Sequence, residues 1–170
     1  MKYQDYIKNV PNFPIEGIQF KDITPLIGDE NAFKHAIDEL TEFSKTLKAN
    51  KVIGPDARGF IIGAPVAYAL NAGFIPVRKP GKLPREVITY DYELEYGKNT
   101  LCMHKDAVKK GDRVVIIDDL LATGGTMEAT IKLVETAGAE VVGLGFMIEL
   151  IDLNGREKLK NYPIKVLMQY

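Results

Sequence analysis

Residues 114–126 have the types and the spacing best suited to chemistry. The segment reads VVIIDDLLATGGT, so a run of β-branched residues leads into two acids and then into a turn of small and hydroxyl residues. Backbone N–H groups of such a turn, at the start of a helix, can bind a phosphate. The two acids would repel a phosphate at close range, so we expect them to accept hydrogen bonds from a vicinal diol on the same ligand. The segment therefore predicts a site for ribose 5-phosphate.

We assign the ribose-phosphate site to seven residues of this segment. They are Asp118, Asp119, Ala122, Thr123, Gly124, Gly125 and Thr126. A purely structural interpretation is also open, because acids are common at strand ends and Thr-Gly-Gly-Thr can serve only as a turn and a helix cap. The whole string is more specific than either part. It lacks both the Gly-Lys-Ser/Thr of a P-loop and the Gly-x-Gly-x-x-Gly of a dinucleotide-binding fold.

The elements that must position this site follow from hydrophobic periodicity and from Gly and Pro breaks. We predict helices over residues 30–47, 60–70 and 126–137, and strands over 52–54, 74–77, 87–94, 101–104, 114–117, 141–150 and 164–167. The Pro-rich and Gly-rich residues 10–25 are expected to be ordered but irregular. Strands that alternate with helices predict an α/β fold with a mostly parallel sheet and helices on both faces.

Composition limits the classes of function. The chain has 170 residues, 46% hydrophobic and 26% charged, which suits a single globular domain. Lys and Arg total 22 against 23 Asp and Glu, and this near balance argues against nucleic acid as a partner. No apolar run approaches the ~20 residues that span a bilayer, so we expect no membrane partner. One cysteine, Cys102, favours a reducing compartment, and we expect a cytoplasmic protein.

Two further segments concentrate charge near turns. Residues 56–59, Asp-Ala-Arg-Gly, lie between a predicted strand and a predicted helix, where their amides and Arg58 could hold a second anion. Residues 78–85 combine Arg78, Lys79 and Lys82 with Pro and Gly, which predicts a loop. Both segments also have an ordinary interpretation, as a turn with a surface arginine and as a solvated basic loop.

The 114–126 string resembles the signature of the type I phosphoribosyltransferases, and its DDLLATGGT part is similar to the adenine-specific branch of that family. Other segments match in order: Phe13-Pro14 with Gly17-Ile18 and Phe20-Lys21-Asp22-Ile23, then DARGF at 56–60, RKPGKLP at 78–84 and LEYGK at 94–98. The resemblance runs from Phe13 to Tyr170, which is nearly the whole chain.

The resemblance implies a type I phosphoribosyltransferase fold in one domain, residues 1–170. That fold has a mostly parallel central sheet flanked by helices, a small N-terminal hood over about residues 1–30 and a mobile lid loop over about residues 78–98. It implies transfer of ribose 5-phosphate from phosphoribosyl pyrophosphate to N9 of adenine, giving AMP and pyrophosphate in purine salvage. Mg²⁺ would be the cofactor, bound mainly through substrate oxygens and water, and the protein would be a homodimer.

The resemblance also implies roles for individual residues. Glu95 and Arg58 are the catalytic candidates, with Glu95 as the acid/base for the purine. The pyrophosphate residues are Asp56, Ala57, Arg58, Arg78, Lys79, Lys82 and Tyr96, with a cis peptide between Asp56 and Ala57. The adenine residues are Ile18, Gln19, Phe20, Lys21 and Leu120, with Phe20 and Leu120 on the two faces of the base. Gln19 and Lys21 stand where some relatives carry Val and Arg, and a lysine lacks the bidentate grip of an arginine.

Two other functions compete with this interpretation. A 6-oxopurine phosphoribosyltransferase would carry an Asp at the position of Ala122, so Ala122 argues against it. A regulator that keeps the ribose-phosphate fold and binds DNA would need a basic extension, and this chain has a net charge of −1.

Overall fold

The computed structural model describes residues 1–94 and 97–170, in which the central element is a five-stranded parallel sheet. The strands of the described residues are β1 (Lys8–Pro11), β2 (Gln19–Asp22), β3 (Lys51–Pro55), β4 (Gly73–Val77), β5 (Val87–Leu94), β6 (Gly97–His104), β7 (Arg113–Leu121), β8 (Glu140–Glu149) and β9 (Ile164–Gln169). The helices are α1 (Thr24–Ile27), α2 (Glu30–Thr46), α3 (Arg58–Leu70) and α4 (Gly125–Thr136), with 3₁₀ turns at Tyr3–Tyr6, Ile151–Leu153 and Gly155–Leu159.

The sheet has the strand order β4-β3-β7-β8-β9, and every neighbouring pair is parallel. Helix α3 connects β3 to β4, and α4 connects β7 to β8. Strand β7 lies in the middle and is buried on both faces. Its Val114 and Ile116 pack with α4, whereas Val115 and Ile117 pack with α2 and α3. This arrangement confirms the predicted parallel α/β fold.

Glycines in β8 allow α2 to lie close against the sheet. A Cβ atom at Gly145 would come within 3.1 Å of the Leu40 side chain and 2.7 Å of the Ile117 Cδ1 atom. A Cβ atom at Gly143 would come within 2.3 Å of Leu47 Cδ1. The missing side chains are replaced by those of the helix, which pack into the space.

Two antiparallel hairpins stand outside the central sheet. Strands β1 and β2 pair within the N-terminal segment, and β5 pairs with β6 over their whole lengths. The prediction that residues 10–25 are irregular is wrong in part, because backbone pairing from Lys8↔Asp22 to Pro11↔Gln19 organises them into a hairpin.

Several element bounds also differ from the prediction. Strand β7 was predicted to end at residue 117 but continues to Leu121, because Asp118 and Leu120 pair with Phe146 and Ile148 of β8. Helix α3 begins at Arg58 and contains Pro65. Strand β6 begins at Gly97 instead of residue 101. Helix α4 ends at Thr136, and Gly138 follows at φ +90°, as expected for a glycine beyond a helix end.

Within residues 1–94 and 97–170, no helix has both the length and the apolar character that crossing a bilayer requires.

The contact between α2 and β8 is expected to contribute strongly to stability. Leu40 is fully buried against Gly145 of β8, so Leu40→Ala should lower the free energy of unfolding by about 2–5 kcal/mol. Leu153→Ala is the control, since Leu153 is 47% exposed and its truncation should change that free energy by only about 0.5 kcal/mol. Urea denaturation measures both, and equal losses would contradict this account of the core.

Candidate functional site

Two strand–turn–helix units meet at one edge of the sheet. Strands β3 and β7 are parallel neighbours, so the turns that follow them lie side by side. Open α/β sheets bind ligands at this carboxyl edge. The turns enclose a cleft of about 420 Å³, lined by Asp56, Ala57, Arg58, Phe146 and the continuous run from Asp118 to Met127. All seven predicted ribose-phosphate residues therefore lie in one cleft.

The turn after β7, residues 122–124, is called the phosphate loop here. It leads directly into α4, whose N-cap is Gly124 at φ +87°. No side chain caps this end of the helix, so the N–H groups of the first turn remain available to an anion. The exposed hydroxyl side chains of Thr123 and Thr126 flank these groups. The loop is thus suited to a phosphate, as the sequence predicted.

Gly155 lies directly against the phosphate loop and was missed by the sequence analysis. A Cβ atom at Gly155 would come within 2.3 Å of the Ala122 carbonyl oxygen, and one at Gly124 within 2.8 Å of the Gly155 carbonyl oxygen. Two backbone segments touch here with no side chain between them. The adjacent Asn154, at φ 53°, marks a turn at Asn-Gly, which was the one available signal in the sequence.

The two acids of β7 occupy different environments. Asp119 is 8% exposed and accepts a hydrogen bond from Arg58 Nε. Asp118 accepts the backbone N–H of Asp119 at 2.8 Å, and Gly59 leaves room for it because a Cβ there would lie 3.0 Å from Asp118 Oδ1. Burial, and then the neighbouring Asp119 charge, raise the pKa of Asp118 well above its ordinary value. The cleft therefore disfavours a second free negative charge.

The turn after β3 carries the second set of predicted residues. Its Asp56–Ala57 peptide is cis, as the resemblance implied. Arg58, the first residue of α3, lines the cleft and forms an ion pair with Asp119. Arg78 reaches this turn from the end of β4, where its Nε donates to the Asp56 carboxylate at 2.9 Å. The turn is thus linked to both neighbouring strands by arginines.

The two lysines predicted to bind pyrophosphate are placed differently from Arg78. Lys79 and Lys82 are exposed and lie outside the cleft lining, so the described structure does not bring them to the two turns. Their predicted contact with pyrophosphate stays a prediction. Glu95 and Tyr96 lie outside the described residues.

A second hollow, of about 100 Å³, adjoins the cleft. It is lined by Ile18, Gln19, Phe20, Lys21, Arg58, Asp119, Leu120, Ile148 and Leu150. The five predicted adenine residues therefore share one hollow, between the N-terminal hairpin and the end of β7. The Arg58 guanidinium lies 5.2 Å from the centre of the Phe20 ring. Arg58, Asp119 and Leu120 line both the hollow and the cleft, so the two spaces are neighbours.

The polar side chains of this hairpin pair with one another. Asn9 Nδ2 donates to Gln19 Oε1 at 2.8 Å, and Lys21 Nζ donates to Asn9 Oδ1 at 2.9 Å. Lys21 Nζ also lies 4.5 Å from the centre of the Tyr170 ring. These contacts hold the hairpin against the C-terminal residue.

Tyr92 of β5 also lies beside the cleft and was not predicted as a site residue. Its hydroxyl lies 3.4 Å from Thr126 Oγ1, and its ring lies 3.7 Å from the position of a Cβ atom on Gly125. The β5–β6 hairpin thus touches the start of α4. Alternation along β5 predicted a strand but could not indicate which element its side chains would meet.

Three carboxylates line the cleft, and two of them already pair with arginines. Within the part of the chain that the structure describes, no three His, Cys, Asp or Glu side chains cluster closely enough to hold a metal ion.

The chain is similar to known proteins over nearly its whole length. Residues 27–169 match the family model of the phosphoribosyl transferase domain. The adenine phosphoribosyltransferase of Streptococcus thermophilus is 56% identical over 170 residues, covering 100% of this chain and 99% of the relative.

Solved structures agree over nearly the same length. The crystal structure of adenine phosphoribosyltransferase from Thermoanaerobacter pseudethanolicus superposes with a TM-score of 0.96 at 51% identity, covering 99% of this chain and 98% of that one. The Saccharomyces cerevisiae enzyme, in complex with D-2,5-dideoxy-2,5-imino-altritol 1,6-bisphosphate and adenine, has a TM-score of 0.91 at 39% identity, covering 98% and 97%.

The packing of Gly124 on Gly155 predicts an order of stability among three variants. Gly124→Ala should destabilise most, because it combines a left-handed φ of +87° with a backbone clash at 2.8 Å. Gly111→Ala has a similar φ of +95° but open space around it, so it should cost about 1–2 kcal/mol. Gly125→Ala fits its surroundings in a helix and should leave stability unchanged or raise it by up to about 1 kcal/mol.

Thermal and urea unfolding of the ligand-free protein measure this order. A Gly124→Ala variant no less stable than Gly111→Ala would show that the close approach of Gly155 does not constrain the loop.

Because the pKa of Asp118 is raised, Asp118→Asn is predicted to increase the stability of the folded state by an amount that depends on pH. A carboxyl whose pKa is higher in the folded state destabilises that state as pH rises from the unfolded pKa to the folded pKa. The variant should therefore be more stable than the unmodified chain at pH 8 and should lose this advantage near pH 3.

Asp106→Asn is the control for which the opposite sign of the stability change is expected, because the hydrogen bond from Arg85 lowers the pKa of Asp106. It should not gain stability at pH 8. Unfolding followed from pH 3 to pH 8 tests both variants, and a gain for Asp118→Asn that is the same at every pH would argue against titration as its cause.

Proposed function

The chain belongs to the phosphoribosyl transferase domain family, and we propose that it is an adenine phosphoribosyltransferase. It transfers ribose 5-phosphate from phosphoribosyl pyrophosphate to N9 of adenine and releases AMP and pyrophosphate, a glycosyl transfer of purine salvage. The observation that carries this proposal is that a phosphate loop and a pair of acids line one cleft, and that a mostly apolar hollow beside it shares Arg58 and Asp119 as lining residues.

The phosphate loop binds the 5′-phosphate of the sugar. The N–H groups at the start of α4, which no side chain caps, donate to this phosphate, and the Thr123 and Thr126 hydroxyls add donors. Asp118 and Asp119 accept hydrogen bonds from the ribose hydroxyls. As the bond from C1′ to the pyrophosphate oxygen breaks, positive charge develops on the ribose and favours the ionised form of Asp118.

The turn at Asp56, Ala57 and Arg58 binds the pyrophosphate. The electron pair of the breaking bond leaves with this group, so its negative charge grows during the reaction. The Arg58 guanidinium at the cleft wall and Arg78 beside Asp56 stabilise that charge. Lys79, Lys82 and Tyr96 join them when the lid, residues 78–98, closes and excludes water that would hydrolyse the activated sugar.

Adenine occupies the smaller hollow. The Phe20 ring and the Leu120 side chain cover the two faces of the base, and stacking of this kind is worth ~1–3 kcal/mol. Backbone groups of the hood near Ile18 and Gln19 select the amino group of adenine, and Lys21 completes this wall. Glu95 takes the proton that N9 loses as the N9–C1′ bond forms.

Magnesium ion fits the charge of this cleft. The Asp56 and Asp119 carboxylates are engaged by arginines, so the ion would be held by substrate oxygens and water, with little direct protein ligation. When bound, it would neutralise part of the pyrophosphate charge. We further propose that the chain works as a homodimer of single-domain subunits in the cytoplasm, where its buried Cys102 stays reduced.

The principal alternative is transfer to a 6-oxopurine. Ala122 lines the cleft where an acid would be needed, so the wall offers a methyl group there and no carboxylate. DNA binding is disfavoured by a net charge of −1.

Product formation tests the proposal directly. The purified protein with phosphoribosyl pyrophosphate and Mg²⁺ should convert adenine to AMP and should form IMP or GMP from hypoxanthine or guanine far more slowly. Comparable rates for all three bases would overturn the adenine assignment. A gel-shift assay with duplex DNA should show no complex.

Glu95→Gln tests the acid/base assignment. The variant keeps the size of the side chain but cannot accept the N9 proton, so kcat should fall by about 10²–10⁴-fold while binding of phosphoribosyl pyrophosphate is retained. Glu93→Gln, two residues earlier on the exposed part of β5, is the matched control and should keep normal kcat. If Glu95→Gln turns over at the unmodified rate in single-turnover measurements, Glu95 has no part in the chemistry.

A further inference from the structure

An ion pair between buried Glu149 and partly exposed Arg156 lies beside the phosphate loop but outside the cleft lining. Glu149, the last residue of β8, is 4% exposed. Its carboxylate accepts two hydrogen bonds from Arg156, from Nε at 2.9 Å and from Nη2 at 2.7 Å, and a third from Gln169 Nε2 at 2.8 Å. Such paired, bidentate contacts fix the direction of the guanidinium as well as its distance.

The ion pair stands next to the residue that touches the loop. Gly155 immediately precedes Arg156 and starts the 3₁₀ turn Gly155–Leu159, whose last residue is fully buried. The Gly155 backbone is in contact with both Ala122 and Gly124, as described above. Arg156 at the start of the turn and Leu159 at its end therefore hold this backbone in place.

The same region is tied to β7 independently of the arginine. The Leu150 N–H donates to the Leu121 carbonyl at 2.9 Å, and Leu121 pairs with Glu149 across the two strands. Thus the end of β8 holds the end of β7 by backbone pairing. Arg156, through Gly155, supports the three residues that follow β7, which are the phosphate loop.

We propose that the Glu149–Arg156 ion pair positions the phosphate loop, by holding Gly155 against Ala122 and Gly124 so that the loop amides face the 5′-phosphate. Glu149 and Arg156 are positioning residues, since they act through Gly155. The inference rests on the proposed function and deepens it, because it names what fixes the geometry of the phosphate subsite.

Loss of the Glu149–Arg156 ion pair should weaken binding at only one end of phosphoribosyl pyrophosphate. The pyrophosphate turn at Asp56–Arg58 stands on β3 and α3, and its side chains pair with Arg78 and Asp119, not with the Arg156 turn. Loss of the ion pair should therefore weaken binding of a sugar phosphate while binding of pyrophosphate is retained. A general loss of folding would lower both.

Arg156→Gln is the principal variant, measured by calorimetry with ribose 5-phosphate and, separately, with pyrophosphate and Mg²⁺. We expect affinity for ribose 5-phosphate to fall at least about tenfold and affinity for pyrophosphate to change less than about twofold. In steady-state assays, KM for phosphoribosyl pyrophosphate should rise by a similar factor, with KM for adenine little changed.

Two further variants sharpen the test. Arg156→Lys keeps the charge but loses the bidentate geometry. Its affinity for ribose 5-phosphate should therefore lie between those of Arg156→Gln and the unmodified chain. Gly155→Ala leaves the ion pair intact but places a Cβ atom within 2.3 Å of the Ala122 oxygen, and it should reproduce the selective loss. These two decide the matter if Arg156→Gln does not fold.

Arg113→Gln is the matched control. Arg113 pairs with Glu140 at 3.3 Å, at the amino end of β7 and β8, far along the strands from the loop. It should leave both affinities unchanged.

The proposal is overturned if folded Arg156→Gln, or folded Gly155→Ala, binds ribose 5-phosphate as tightly as the unmodified chain. It is equally overturned if the affinities for ribose 5-phosphate and pyrophosphate fall by the same factor. Failure of the proposed function itself is distinguishable, because the unmodified chain would then bind no ribose 5-phosphate and form no AMP.

Discussion

The contact between Arg58 and Asp119 is the interaction on which the rest of the site depends. Arg58 begins α3 after the turn that follows β3, and Asp119 lies near the end of β7, so their ion pair joins the two neighbouring strand ends. The same guanidinium lies 5.2 Å from the centre of the Phe20 ring. One side chain therefore connects the proposed pyrophosphate turn, the ribose acids and the base hollow.

This connection resolves a conflict of charge. A cleft for a highly anionic substrate would not be expected to contain acids, yet Asp56, Asp118 and Asp119 all line it. Arginines neutralise Asp56 and Asp119, and burial raises the pKa of Asp118. The free protein thus limits its own negative charge, while the acids stay in the cleft, where the proposed reaction would develop positive charge on the sugar.

Glycine contacts set the geometry around these charges. Gly59 allows the start of α3 to approach Asp118, and Gly155 allows a separate backbone segment to lie against the phosphate loop. Neither contact tolerates a Cβ atom without displacement, because the distances involved are 3.0 Å and 2.3 Å. The positions of amides and carboxylates are therefore determined by backbone packing as much as by side-chain pairing.

The local sequence was sufficient for much of this protein. Hydrophobic periodicity predicted the alternating strands and helices, and the string from Val114 to Thr126 predicted a phosphate-binding turn. Both predictions were possible because the spacing of hydrophobic residues and the residue types of a turn are properties of the local sequence. Resemblance to a family predicted the cis peptide at Asp56–Ala57 without any geometric argument, and the structure has it.

Only the tertiary structure decided which distant residues meet. The acids were expected after the end of β7 but lie within it, since pairing with β8 extends the strand. Gly155, Tyr92 and the Glu149–Arg156 pair were not predicted, because each acts across at least seven residues of chain and carries no periodic or motif signal of its own. Such contacts depend on the strand order β3-β7-β8, and neither propensity nor spacing along the chain encodes which strands become neighbours.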